Sequence, residues 1–256
     1  KTLARFSVLF NYQLDRKTLL TGSTNTLNPF SAIENDTQIV ALNNVFRNTV
    51  FFNRTATKFG MDYTYRTNDS RNLLSFGVER RSIVENNVGL RYQLSGALLF
   101  RTQVALINKE NTSGNFTRRN FTIDEVGNEY SLAYQPADKF VITGKYNWSN
   151  QDGSTSEETV ALNNQDFGLE LSYNLAETLS MLVQGNYILN SFTGNSNNPA
   201  AFEMLEGLRP GENGTWNLTL QRTIRKNLLI SLNYNGRISE GTLPVHLGSL
   251  QVKAFF

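Results

Sequence analysis

One histidine, no cysteine and a recurring set of charged residues are what this 256-residue sequence offers to chemistry. A Ser–His hydrolytic centre needs its imidazole beside a nucleophile. His246 instead opens "HLGSLQVKAFF", on the same alternating parity as Leu250 and Phe256. That position suits an interfacial side chain better than a general base. Zinc needs three or four nitrogen, sulfur or oxygen ligands, and there is no cluster of His or Cys to supply them. The stretch "NQDGSTSEE" (150–158) is acidic and contains glycine, but it lacks the ligand spacing of an EF-hand calcium loop and reads as a solvated surface loop. No catalytic, metal-binding or cofactor-binding residue is therefore assigned, and no enzyme activity is expected. A net charge of +2 excludes a strongly basic nucleic-acid binder.

The charged residues carry more information. Arg5, Arg47, Asp62, Arg66, Arg91, Arg101, Lys145, Glu170 and Lys253 recur on one parity of segments whose other parity is apolar. On that parity the basic residues outnumber Asp62, Glu129 and Glu170. If the face that carries them is enclosed, it biases a pore toward anions. If they pair with one another, they fill and stabilise an interior. The sequence leaves both readings open.

The elements that hold these residues have a period of two. In "KFVITGKYNWS", Phe140, Ile142, Gly144, Tyr146 and Trp148 oppose Val141, Thr143, Lys145, Asn147 and Ser149. "GTWNLTLQRTI", "NLLISLNYNGR", "FGLELSYNL" and "FGMDYTYR" alternate in the same way, and no helical stripe of comparable length appears. Four stretches, "NYQLDRKTLL", "RYQLSGALLF", "AYQPADKFVI" and "SYNLAETLSML", share an order of aromatic, polar, apolar, turn and new strand. They are expected to be short turns. The connections between them are longer and polar, for example "RTNDSRNLLS" and "NKENTSGNFTRR". Pro29, Pro136, Pro199, Pro210 and Pro244 all fall in connections, where a residue without a backbone N–H must sit if every strand is paired on both sides.

Short turns at one end, long polar loops at the other and alternating strands of about ten residues are the pattern of a transmembrane β-barrel. In hydrocarbon every backbone donor and acceptor must be paired internally, so the sheet has to close. Tyr and Trp near strand ends (Tyr12, Tyr92, Tyr134, Tyr173, Trp148, Trp216) suit the interfacial girdles of such a barrel. No apolar run reaches about 18 residues, the length of a membrane-spanning helix. A soluble sandwich also alternates, but its loops are mixed in length at both ends.

The expected fold is all-β: an antiparallel up-and-down transmembrane β-barrel over residues 1–256, with short periplasmic turns and long extracellular loops. Strands are expected near 2–14, 18–28, 37–53, 58–67, 78–94, 97–109, 118–135, 138–150, 157–175, 178–191, 213–224, 227–238 and 245–256. Thirteen is odd, whereas single-chain bacterial barrels have even counts. Twelve to fourteen strands are therefore in play, and the odd count predicts at least one strand before Lys1, making this the C-terminal part of a longer chain. Residues 200–208 have helix-compatible composition inside the longest loop. Phe202, Met204, Leu205 and Leu208 there are expected to fold over the barrel mouth rather than dock on a partner.

The tail "LGSLQVKAFF" resembles the C-terminal assembly signal of bacterial outer-membrane barrels: Gly248, then Leu250, Val252 and Ala254, then a terminal aromatic, Phe256. Three stretches, "NTVFFNRTATKFGMDYTY", "EMLEGLRPGENGTWNLTLQR" and "NYNGRISEGTLPVHLGSLQVKAFF", resemble large outer-membrane proteins of Bacteroidota. The resemblance implies location in the cell outer membrane, contact with lipid and with the barrel assembly machinery, and no catalytic motif. The expected role is an anchor or scaffold subunit of a larger outer-membrane assembly, in contact with other outer-membrane or periplasmic proteins. The alternative is a passive pore or transporter with a polar, net cationic lumen.

Overall fold

A computed structural model describes residues 5–18, 39–75, 77–175, 178–224 and 227–254. Twelve strands form one antiparallel sheet in sequence order: β1 Phe6–Thr18, β2 Ile39–Phe52, β3 Phe59–Leu74, β4 Gly77–Ser95, β5 Leu98–Ser113, β6 Phe121–Ala137, β7 Phe140–Thr155, β8 Thr159–Leu175, β9 Leu179–Thr193, β10 Gly211–Ile224, β11 Leu228–Ser239 and β12 Val245–Ala254. One helix, α1 (Pro199–Leu205), lies between β9 and β10. Each strand pairs with its neighbour in sequence, and the described sheet is not closed: β1 and β12 each pair on one side only. The expected strand at 18–28 falls almost wholly outside the described residues.

Two expectations about the connections are corrected. "NYQLDRKTLL" is not a turn over its described residues: β1 runs on as far as Thr18, with Asp15 opposite Asn43 and Arg16 opposite Leu42. No glycine or proline interrupts it, so pairing simply continues. β1 therefore starts and β12 ends at the short-turn end (Phe6 opposite Phe52, Ala254 opposite Leu228). Twelve strands thus fall among the described residues. The polar stretches expected as long loops are largely strand as well. β3 and β4 stay paired out to Leu74 opposite Gly77, and β5 and β7 extend to Ser113 and Thr155. Strands of 16 to 19 residues exceed the nine to eleven or so that cross a bilayer, and their far ends are polar on both faces. Outside hydrocarbon, water solvates those side chains while the ladder satisfies the backbone. Pro136 lies in the last residues of β6, but at a register shift between Tyr134 and Ala137, where it owes the ladder no donor.

Register gathers the apolar parity onto one face. One row runs Phe59, Tyr92, Phe100, Leu132, Gly144, Leu169, Gly185, Trp216, Gly236, His246. It enters at the short-turn end of β3 and leaves near the opposite end of β12. This drift is the stagger of tilted strands that barrels require. Leu169 is 54% exposed and Leu250 67%, although in water such groups favour burial by about 25 cal/mol per Å². The described apolar core lies elsewhere. Ile123, Val160 and Leu162, on the opposite face of β6 and β8, pack with Ala200, Met204 and Leu205 of α1. Only a lipid solvent satisfies the exposed apolar face.

α1 is fixed at both ends. The Asn198 side chain accepts from Ala201 N at 2.7 Å and caps the helix, Pro199 starts it, and Glu206 (φ 50°) and Gly207 (φ 78°) turn the chain out of it. Beyond it, Asn213 donates to the carbonyls of Arg209 (2.8 Å) and Gly211 (3.1 Å). The expectation for this loop holds for Met204 and Leu205, which are buried. It fails for Phe202, which is 74% exposed on the helix's outer side.

Candidate functional site

The face opposite the apolar one carries the charged residues. Register places Arg47, Asp62, Arg66, Arg91, Arg101, Lys145, Glu170 and Lys253 on it. Arg5 extends the same parity, its carbonyl accepting from Asn53 N at 2.9 Å. The same face holds Glu79, Glu85, Glu125, Glu129 and Asp166. It also holds Lys17, Arg81, Lys109 and Arg237, and Asp15, so basic residues still outnumber acidic ones on this face.

Register also sorts the charges into rows. One row runs Gly60, Arg91, Arg101, Ser131, Lys145, Gly168, Asn186, Thr215, Arg237. Its charges are all positive. The next row toward the long-connection end runs Phe51, Asp62, Gly89, Gln103, Glu129, Asn147, Asp166, Ile188, Asn213. Its charges are all negative. Residues one such row apart on adjacent strands lie about 7–8 Å apart, so a positive track and a negative track run side by side across the sheet.

The side chains fall into two groups. Some are bound within the sheet. Lys145 Nζ meets Glu170 Oε2 at 2.9 Å, and Gln184 donates to the same oxygen at 3.0 Å. Lys109 meets Glu125 at 3.0 Å, and Arg66 meets Glu85 at 3.4 Å while facing Arg47 across the strand pair. Arg91 lies across β3 and donates to the carbonyls of Ala56 (2.8 Å) and Arg54 (3.2 Å), bracing the β2–β3 turn. It can do so because Gly60 lies beneath it: a Cβ there would stand 3.0 Å from Arg91 Nη2. Arg81 reaches Glu203 of α1. Because α1 also packs on β6 to β8, the sheet curls around it.

The second group stays open to the cavities. One cavity of about 680 Å³ is lined by Glu129, Lys145, Asn147, Asp166, Glu170 and Arg237 among others. Another, of about 420 Å³, is lined by Arg54, Asp62, Arg91, Arg101 and Glu129. Glu129 belongs to both. No described ion pair involves Arg101 or Glu129, and both are exposed. Asp166 accepts only a 3.4 Å bond from Asn147, leaving Asp166 Oδ1 and Asn147 Oδ1 buried without a protein donor. Parity alone places Asp166 and Arg237 on this face; only register shows which charges are neighbours.

The remaining sequence candidates separate cleanly. His246 lies on the apolar face, stacked 5.9 Å from Tyr234 and tilted against Trp216 at 5.5 Å, and shares a 2.8 Å hydrogen bond with the Tyr234 hydroxyl. This is the interfacial setting expected of it. Gly248, Leu250, Val252 and Ala254 share that face of β12; Phe256 lies outside the described residues. Residues 150–155 belong to β7, and Asp152 stands opposite Asp124. No group of three or more His, Cys, Asp or Glu side chains able to hold a metal occurs among the described residues.

No protein-family model matches the sequence, and no curated protein matches it. Solved structures do match. The siderophore receptor PirA from Acinetobacter baumannii aligns over 98% of this chain and 41% of the receptor, at 9% identity and a TM-score of 0.60. The CymD monoaromatic hydrocarbon channel aligns over 98% of this chain and 78% of its own at 8% identity (TM-score 0.45). The NanC porin aligns over 83% of this chain and 94% of its own at 9% identity (TM-score 0.41). The chain thus spans about two-fifths of the length of the siderophore receptor it matches. It carries the antiparallel up-and-down fold of outer-membrane β-barrels, and the outer membrane is where it resides.

Proposed function

We propose that this chain forms part of the wall of a larger outer-membrane transport barrel. The observation that carries the reading is the open sheet. Twelve strands curl without joining β1 to β12, yet the face they curl around bears charges that must be kept from lipid. The siderophore receptor that aligns at a TM-score of 0.60 is far longer than this chain, which covers 41% of it, and outer-membrane transporters of about 22 strands are known. In this reading the short connections face the periplasm and the long ones the exterior. Further strands of the same protein, upstream of Lys1, fill the gap. β12 is the strand that the assembly machinery reads, and the sequence resemblance to large Bacteroidota proteins accords with a barrel of that size. The unpaired Arg101 and Glu129 favour a solute path over a solid scaffold, in which they would be neutralised.

Two measurements test this. The sequence has no cysteine, so pairs introduced at Val8 or Phe10 with Leu250 or Val252 report directly on closure. In the outer membrane these pairs are expected to stay unlinked under oxidation, because other strands separate β1 from β12. Efficient cross-linking within one molecule would mean that the twelve strands close on themselves. In planar bilayers the purified full-length protein is expected to conduct ions, and Arg101→Glu shifts the current toward cations. Arg91→Glu instead loosens the β2–β3 turn, because Arg91 is bound to backbone carbonyls. A correctly inserted protein that carries no current would leave the scaffold reading standing and this one refuted.

A further inference from the structure

We infer that the two adjoining cavities form a binding site for a short peptide, a solute with an ammonium at one end and a carboxylate at the other. The inference deepens the transport reading and rests on it for the enclosure of the charged face. Three observations lead to this ligand. First, at the acceptor end Glu129, Asn147 and Asp166 stand side by side on β6, β7 and β8. Asp166 lines the larger cavity, and its Oδ2 accepts a long hydrogen bond of 3.4 Å from Asn147. An ammonium supplies three donors and a positive charge to such a group. A neutral sugar would leave the carboxylates uncompensated.

Second, the donor end is next door. Arg101 sits on β5, one row from Glu129 on the adjacent strand, in the positive track. Its planar fork suits a carboxylate in bidentate contact. Arg101 and Glu129 are neighbours of opposite charge that do not pair with each other, so both remain available. Lys145 is excluded from this role because Glu170 and Gln184 already hold that ion pair together.

Third, the spacing fits. Adjacent strands lie about 4.8 Å apart, so Arg101 on β5 and Asp166 on β8 are separated by about 14 Å along the sheet. An extended chain covers about 3.3–3.6 Å per residue. A peptide of three to five residues therefore bridges the two ends, passing Glu129, which lines both cavities. The wall between carries the amide side chains of Gln103 and Asn147, which serve a peptide backbone as both donors and acceptors.

The test is isothermal titration of the full-length protein, folded in detergent micelles, with tetraglycine as the probe. Tetraglycine is expected to bind. N-acetyltetraglycine, which lacks the ammonium, and tetraglycine amide, which lacks the carboxylate, should each bind about tenfold more weakly or not at all. Asp166→Asn, at the ammonium end, is expected to weaken tetraglycine by a similar factor while leaving the acetylated peptide unchanged. Arg101→Gln should do the converse with respect to the amide. Lys253→Gln, at the far end of the face, serves as the neutral control. Equal binding of the blocked peptides, tighter binding of maltotetraose, or no binding to folded protein would each overturn the inference. If the same preparation still conducts ions, the transport reading survives that result. If it neither conducts nor inserts, the transport reading fails first.

Discussion

Arginine in place of Leu218 is expected to destabilise the inserted sheet by about 2–4 kcal/mol, the cost of a cation near the bilayer midplane on the lipid face of a barrel. Leu218 lies opposite Val183 on one side and Tyr234 on the other, two residues from Trp216 at the girdle and two from Leu220. It is thus inside the apolar band rather than at its rim. The paired experiment is Asn233→Arg, one residue from Tyr234 on β11 and on the opposite face, next to Thr219. That substitution adds a charge to a polar, exposed position and should cost little. Denaturant unfolding of the protein in liposomes measures both. The two substitutions differ only in which side of the sheet they enter, so the difference between them reports which side meets hydrocarbon. Equal costs, or a larger cost at Asn233, would remove the basis for placing lipid on the Leu218 side.

The second large effect is expected at Gly153. A Cβ at this position on β7 would stand 2.9 Å from Met204 Sδ, 2.9 Å from Val160 Cγ2 and 3.3 Å from Ala200 Cβ. Gly153→Leu places four carbons in that space. Overpacking of this kind costs about 1–3 kcal/mol, and the least resistant element yields. β7 is laddered to β6 and β8 along its whole length. The seven residues of α1 are held by a few side chains, the cap at Asn198 and the following turn that Asn213 braces. The helix should therefore lift while the sheet stays folded. The expected result is protease cleavage within residues 194–210 in the variant alone, together with a larger single-channel conductance as the long-connection end opens. An intact loop with a disordered sheet would show that α1 is an integral part of the wall instead.

Alternation made much of this legible. Period two in "KFVITGKYNWS" or "NLLISLNYNGR" sorts side chains by face whatever the strands pair with, because successive residues on any strand point oppositely. For that reason the apolar face and the shared parity of the charged candidates could be read directly, and so could the place of His246 on the apolar parity. Strand ends were less legible. The signal for a turn in "NYQLDRKTLL" is a sequence order shared with true turns such as "RYQLSGALLF". Only the partner strand decides whether pairing continues past Asp15. Likewise "RTNDSRNLLS" is polar enough for a loop, yet a neighbouring polar strand with Asp69 and Arg80 in bidentate contact, at 2.8 and 3.0 Å, turns it into sheet.

Residue order alone determined the fold class, the two faces, their chemistry and the segregation of proline to places where no donor is owed. These follow from local stereochemistry and hydropathy, which act within a few residues. Tertiary structure decided the register, and with it everything that depends on which strand lies beside which. It aligned Arg91, Arg101, Lys145 and Arg237 in one row and Asp62, Glu129 and Asp166 in the next. It tied up Arg91 and Lys145 while leaving Arg101 free, set α1 over Gly153, and left β1 and β12 apart. Such relations join residues dozens to hundreds of positions apart, and they are fixed by the stagger of tilted strands, a property of the whole sheet that no short window of sequence contains.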